Sequence, residues 1–262
     1  MPNKTINMNN RPHVLSYGVD LVSQDEALAI IARAWQTNNG LHVITLNAEM
    51  IIAAKRDPKL DNIIRQANLV IADGAGVVLA LKLNGHNIKR LPGIELAQST
   101  LSIAASQKIP VALIGGQTEV LQQLSLTLPK QYPDLNLVAC KDGYFKSEDE
   151  PEIITNVAQA RPQLILVAMG VPRQEYFIAQ LRKTMPQAVC IGVGGSFDIW
   201  AGKKKRAPVI FQSCHLEWLY RLLSEPWRFK RMSMALPEFA AQVIIEHWQK
   251  KLSVDKRKDQ QD

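Results

Sequence analysis

The feature that most constrains this chain is a rhythm: short apolar, β-branched runs alternate with stretches of helical periodicity through the first two hundred residues. The runs are His42–Leu46 (HVITL), Asn68–Ala72, Pro110–Ile114, Leu135–Ala139, Leu164–Ala168 and Ala188–Val193. Unbroken apolar character is what a strand buried on both faces requires, and intervening helices supply the crossovers that parallel strands need. The expected class is α/β, a mainly parallel sheet with helices on both faces. Helix starts fit the same reading. Ser23 with Glu26 forms a capping box ahead of an apolar-periodic stretch to Trp35, and Asn47 can cap a helix running to Lys55. Pro172 stands where a first helical residue belongs.

After Gly202 the texture changes. A basic stretch, Lys203–Arg206, opens a segment that Pro208, Pro226 and Pro237 divide into short amphipathic pieces, expected at Leu216–Leu223, Trp227–Leu236 and Phe239–Leu252. We therefore divide the chain into an α/β domain, residues 1–202, and a basic helical appendage, residues 203–262. Thirteen basic and seven acidic residues lie from Lys203 onward, so the appendage carries +6 of the net +7. Such a segment is a solvated tail or meets an anion: nucleic acid, acidic lipid or a phosphorylated substrate. An apolar fraction of 47% argues against wholesale disorder. The start of the chain has no signal-peptide pattern, and no apolar run of 18 residues spans a membrane. Three widely spaced cysteines suit a reducing compartment.

In open parallel sheets ligands bind beyond the carboxyl ends of the strands. The residues there form a coherent set: Thr45, Asn47 and Glu49, then Asp73-Gly74, then Arg90, Gly93 and Glu95. Gly115-Gly116, Asp142-Gly143, Gly170 with Gln174 and Glu175, and Gly192, Gly194-Gly195 and Asp198 complete it. Glycine lets backbone approach a ligand, and helix N-termini offer N–H groups to an anion, although glycines also end strands simply to turn the chain.

Several chemistries are disfavoured. The dinucleotide fingerprint G-x-G-x-x-G is absent, since GGQTEV has two adjacent glycines only and GVGGSF lacks the last. No Walker loop, CxxC or HxxxH pattern and no D-x-D clamp occurs, so no metal site and no cofactor are expected. A diphosphate leaving group would then rely on arginines or helix ends. Asp73, followed by glycine, is the best general-base candidate, with helix capping near Ala75 as its alternative role. The five histidines have no partner at catalytic spacing and are read as structural.

Taken in order, TLNAEM (45–50), ADGAGVVLA (72–80), KRLPGIEL (89–96), LIGGQ (113–117), DGYF (142–145), AMGVPRQE (168–175), GVGGSFDIWAGKKKRAP (192–208) and LEWLYRLLSEPWRFKRM (216–232) resemble the WecG/TagA/CpsF glycosyltransferases. The resemblance covers roughly residues 14–250. It implies a Rossmann-like but distinct fold and a metal-independent, inverting enzyme. The implied donor is a UDP-sugar, N-acetylmannosamine or its uronic acid. The implied acceptor is N-acetylglucosamine on undecaprenyl diphosphate.

Position by position, the family's aspartate matches Asp73. Thr45, Asn47, Arg90 and Gln174 match its pocket, and Arg221, Arg228 and Arg231 match its appendage arginines. Gly115, Gly116, Asp142, Gly170, Gly194 and Gly195 are further substrate-binding candidates at the strand ends. Trp227, Phe229, Met232, Leu236, Phe239 and Trp248 interleave with basic residues, which suits the headgroup region of an anionic bilayer or packing on the main domain. The expected place is cytoplasmic, peripheral to the inner face of the membrane, without nucleic acid. A nicotinamide-dependent oxidoreductase and a nucleic-acid module using the basic C-terminus are the competing readings. NADH titration and salt-dependent oligonucleotide binding discriminate them.

Overall fold

A computed structural model describes residues 11–213, 216–225 and 229–258. A short antiparallel pair, β1 (His13–Val14) and β2 (Tyr17–Gly18), precedes α1 (Gln24–Gln36). The sheet strands are β3 (His42–Leu46), β4 (Leu69–Ala72), β5 (Val111–Gly115), β6 (Leu137–Lys141), β7 (Leu164–Ala168) and β8 (Val189–Gly192). They lie in the order β4-β3-β8-β7-β5-β6, and every pairing is parallel.

Successive residues of a strand point to opposite faces, which explains the unbroken apolar runs. Val43, Leu69, Val111, Leu164 and Val189 join a core beneath α1, α5 (Gly93–Ser106) and α6 (Thr118–Gln131). Their neighbours Ile44 and Val70 join a second core, with α2 (Ala48–Lys55), α3 (Pro58–Gln66) and α4 (Ala75–Leu83). Ala112 and Ile165 complete that face beneath α7 (Glu150–Gln159) and α8 (Arg173–Thr184). Helices therefore cover both faces, as expected.

The expected caps form. Ser23 and Glu26 make the capping box, and the Met50 N–H donates to Asn47 Oδ1 at 3.0 Å. Pro172 is the N-cap of α8 rather than its first residue. β6 sits two residues beyond the expected Leu135–Ala139. It is an edge strand, only partly buried, so its apolar pattern is a weaker guide.

Short helices α9 (Ser196–Trp200), α10 (Val209–Ser213) and α11 (Glu217–Ser224) lead into α12 (Phe229–Lys258). The break expected at Pro237 does not occur, because α12 runs through it as one helix of 30 residues. Proline there removes one hydrogen bond, at a cost of about 3 kcal/mol. Met232, Ala235, Phe239 and Val243 are buried on both sides of that point. A buried Val, Phe or Met side chain contributes about 1.5–3 kcal/mol each, so packing outweighs the defect. Ser233, one turn back, is exposed, which leaves its carbonyl open to water. Ala235, Phe239 and Val243 pack into the α2–α4 core, and Phe239 lies over Gly76, where an added Cβ would come within 3.1 Å of its ring. The opposite face leaves Ile244, Ile245, Trp248 and Leu252 exposed. Packing on the main domain thus accounts for Phe239 and Leu236, while Trp248 stays exposed and Trp227 lies outside the described residues.

Candidate active site

The carboxyl ends of β4, β3, β8 and β7 open into a cavity of about 550 Å³ that α11 and α12 help to enclose. Its walls differ chemically. Thr45, Asn47, Asp73, Arg90, Gln174, Gly170, Gly194 and Gly195 line the strand-end side. Leu79 and Leu83 from α4, Leu236, Phe239, Val243 and Ile244 from α12, and Trp218 from α11 line the other. Leu79 is 59% exposed and Ile244 53%, so apolar surface reaches solvent as well as the cavity.

Asp73 follows β4, and its N–H donates to the Leu46 carbonyl at 3.1 Å, which ties it to the end of β3. Gly74, not Asp73, is the N-cap of α4. Arg90 Nε donates to the Asp73 backbone carbonyl, and its Nη2 stands 3.4 Å from Asp73 Oδ1. The carboxylate is a quarter exposed, at 24% of its side chain, and so is both steadied and reachable. On its far side Arg90 Nη1 lies 2.5 Å from Oε2 of Glu217, an α11 residue. Glu217 Oε1 is in turn 3.5 Å from Nε of Arg206, which also pairs with Glu95. Burial works against the charge on Arg206, but Glu95 and Glu217 more than offset it and hold its pKa above the usual value.

Gln174 lines the cavity but is only 2% exposed. Its Oε1 accepts from the Gly170 and Gly194 N–H groups, both at 3.1 Å, and its Nε2 donates to Glu175 Oε1 at 2.9 Å. Gln174 therefore shapes the two glycine loops. Those two N–H groups are engaged by it, so a phosphate would have to displace the amide to use them. Behind it, His42 Nε2 lies 2.7 Å from Glu175 Oε2, with both side chains buried. His42 thus has a carboxylate partner 133 residues away, which spacing along the chain did not reveal.

Gly115, Gly116 and Asp142 lie at the ends of β5 and β6 and are not part of the cavity lining. Gly115 takes a positive φ of 114° where a Cβ would strike the Ala168 carbonyl oxygen at 2.3 Å, so close strand packing requires glycine there. Asp142 Oδ1 accepts from the Tyr144 N–H at 3.0 Å, and Arg173 holds the same loop through the Gly143 and Phe145 carbonyls, both at 2.7 Å. Arg221 is on α11 and Arg231 on α12, but their side chains, and Arg228 altogether, lie outside the described residues. Lys204 and Arg206 of the basic stretch are engaged within the protein, Lys204 with Asp198 at 3.0 Å and Glu225 at 2.9 Å.

Two acidic residues without a role predicted from sequence also line the cavity, Glu49 from α2 and Glu217 from α11. No local pattern marks Glu217 as a cavity residue. Its one signal is that it is an acid opening an apolar stretch within a basic segment. Among the described residues no group of three or more His, Cys, Asp or Glu is placed to hold a metal ion, and no helix is long and apolar enough to cross a membrane.

Two relatives carry the name N-acetylglucosaminyldiphosphoundecaprenol N-acetyl-β-D-mannosaminyltransferase. The protein from Bacillus spizizenii strain W23 is 36% identical over 208 residues, 79% of this chain and 80% of the relative. That from Bacillus subtilis strain 168 is 34% identical over 213 residues, 81% of this chain and 82% of the relative. Neither competing reading, oxidoreductase or nucleic-acid module, gains support from these matches. The family model for the WecG/TagA/CpsF glycosyl transferases matches residues 12–253, and the chain belongs to that family.

Proposed function

We propose that this protein transfers N-acetylmannosamine, or the corresponding uronic acid, from UDP to N-acetylglucosamine carried on undecaprenyl diphosphate, in the synthesis of a cell-surface polysaccharide. The observation that carries this reading is the two-sided cavity. Polar groups gather at the strand ends, and an apolar wall runs along α4 and α12 toward solvent. An acceptor with a sugar-diphosphate head and a hydrocarbon tail has the same division. The names of the two relatives supply the acceptor and the simpler donor sugar.

In this reading Asp73 accepts the proton of the acceptor hydroxyl as its oxygen attacks the anomeric carbon. The bond from that carbon to the diphosphate oxygen breaks, and UDP leaves with the electron pair. A single displacement inverts the anomeric configuration. Thr45 and Asn47 orient the sugars beside Asp73, and Gln174 holds the loops on which they rest. We assign Arg221, Arg228 and Arg231 to the departing diphosphate, because the planar guanidinium fork donates to phosphate oxygens in pairs. Gly115, Gly116 and Asp142 at the neighbouring strand ends are assigned to the donor nucleotide. The exposed apolar face of α12, with Lys250 and Lys251 beside Trp248, is assigned to the inner, cytoplasmic surface of the membrane.

The test is UDP release from each donor, with and without the lipid-linked acceptor, in EDTA. Acceptor-dependent release in EDTA is expected, and the faster donor identifies the sugar. No release from either donor would overturn the assignment.

A further inference from the structure

The charged side chains lining the cavity, among the described residues, are Glu49, Asp73, Arg90 and Glu217. Three come from the α/β body, and Glu217 alone comes from the appendage. Its side chain is only 6% exposed, although it sits on a short amphipathic helix. A carboxylate leaves water at a cost that only charge partners and hydrogen bonds offset. Two of its partners are Arg90 at 2.5 Å and Arg206 at 3.5 Å, both outside its own helix. Arg90 faces Asp73 with the other edge of its guanidinium, at 3.4 Å.

We infer that Glu217 is a positioning residue for the transfer reaction, acting through Arg90 on Asp73. This rests on the reading of Asp73 as the base. Arg90 is divided between two carboxylates. With Glu217 in place, one edge of the guanidinium is anchored to the appendage and its charge is partly offset. Asp73 is then steadied without being drawn into a tight ion pair that would make it a poor proton acceptor. When α11 leaves the body, Glu217 leaves with it, and Arg90 is free to close on Asp73. The base is therefore set for proton transfer only while the appendage is seated. Glu49 faces the same cavity from α2, and Arg206 and Glu95 lie beyond Glu217; the variants below leave all three unchanged.

The experiment compares Glu217→Gln and Arg90→Gln with the wild type. It measures kcat, both KM values and the pH profile of kcat, alongside thermal unfolding and limited proteolysis of the appendage. For Glu217→Gln we expect kcat to fall on the order of tenfold or more, the scale of a misplaced catalytic group. The donor KM should stay within about twofold, since binding of the nucleotide does not depend on Arg90 in this scheme. Arg90, no longer shared, then favours the Asp73 carboxylate, so the acid limb of kcat moves to lower pH. Arg90→Gln removes the positive charge and moves that limb to higher pH. Opposite shifts support the inference. If Glu217→Gln leaves kcat and the limb unmoved, or only loosens the appendage to protease with the limb unmoved, Glu217 is a structural contact and the inference fails. Should that variant not fold, Glu217→Asp keeps the charge but withdraws it by one methylene, and it carries the same expected direction and the same failure. A wild type without acceptor-dependent release sinks the function itself, whereas an active wild type with unmoved variants sinks this inference alone.

Discussion

Beneath the cavity Gln174 is held entirely by the α/β body, through two backbone N–H groups, Glu175 and, behind that, His42. Across the mouth Arg90 is held between Asp73 of the body and Glu217 of the appendage. The first network is buried, and its members belong to one rigid sheet and its flanking helices. The second crosses a seam between two parts of the chain, and its innermost residue reaches solvent. The contrast separates a permanent scaffold from a conditional contact: damage to the first should show in stability, and damage to the second in turnover.

The largest expected effect tests the conditional side. Asp73→Asn should lower turnover by about 10²–10⁴-fold, the range for a lost general base, and leave UDP binding nearly intact. A collapse of UDP binding, measured by calorimetry, would make Asp73 part of the scaffold and place the base elsewhere. Next comes the scaffold. Glu175→Ala leaves His42 and Gln174 without their shared partner, a loss of about 3 kcal/mol for a broken buried pair. Thermal unfolding should then begin roughly 6–12 °C lower in a chain of this size. An unchanged melting temperature would mean that the buried network is not what keeps the sheet ends in place. The smallest effect concerns the apolar wall. Leu79→Ser with Ile244→Ser removes about 1.4 kcal/mol of lipid contact, so the KM for a polyprenyl acceptor should rise on the order of tenfold. Both side chains are more than half exposed, and the melting temperature should barely move. An equal rise with a short, water-soluble acceptor analogue would show that the wall does not read the lipid tail.

The scaffold was far more legible than the seam. Buried parallel strands announce themselves as unbroken apolar runs, and His42–Leu46 and Leu164–Ala168 stand where the runs stand. Caps such as Ser23 and Asn47 are local, with donor and acceptor three residues apart, so spacing alone finds them. The His42–Glu175 pair spans 133 residues, and the partners of Glu217 lie 11 and 127 positions upstream; no periodicity encodes either. At Pro237 local cost alone points to a break, but the burial of Phe239 and Val243, which no local pattern encodes, offsets it. Among the site residues, Thr45, Asn47, Asp73, Arg90 and Gln174 converge on one cavity, into which the carboxyl ends of the neighbouring strands β4, β3, β8 and β7 open. Gly115 ends β5, and Gly116 and Asp142 follow β5 and β6, which lie at the other side of the strand order.

The contact of Phe239 with Gly76 has a consequence for how this chain can change over time. The long helix of the appendage rests where α4 has no side chain, and even one carbon there would crowd the aromatic ring. Positions 76 and 239 are thus expected to change together wherever the ring cannot give by a few tenths of an ångström. A homologue with a side chain at the first should carry something smaller than phenylalanine at the second, and one that changes only the first should loosen α12 before it disturbs the sheet.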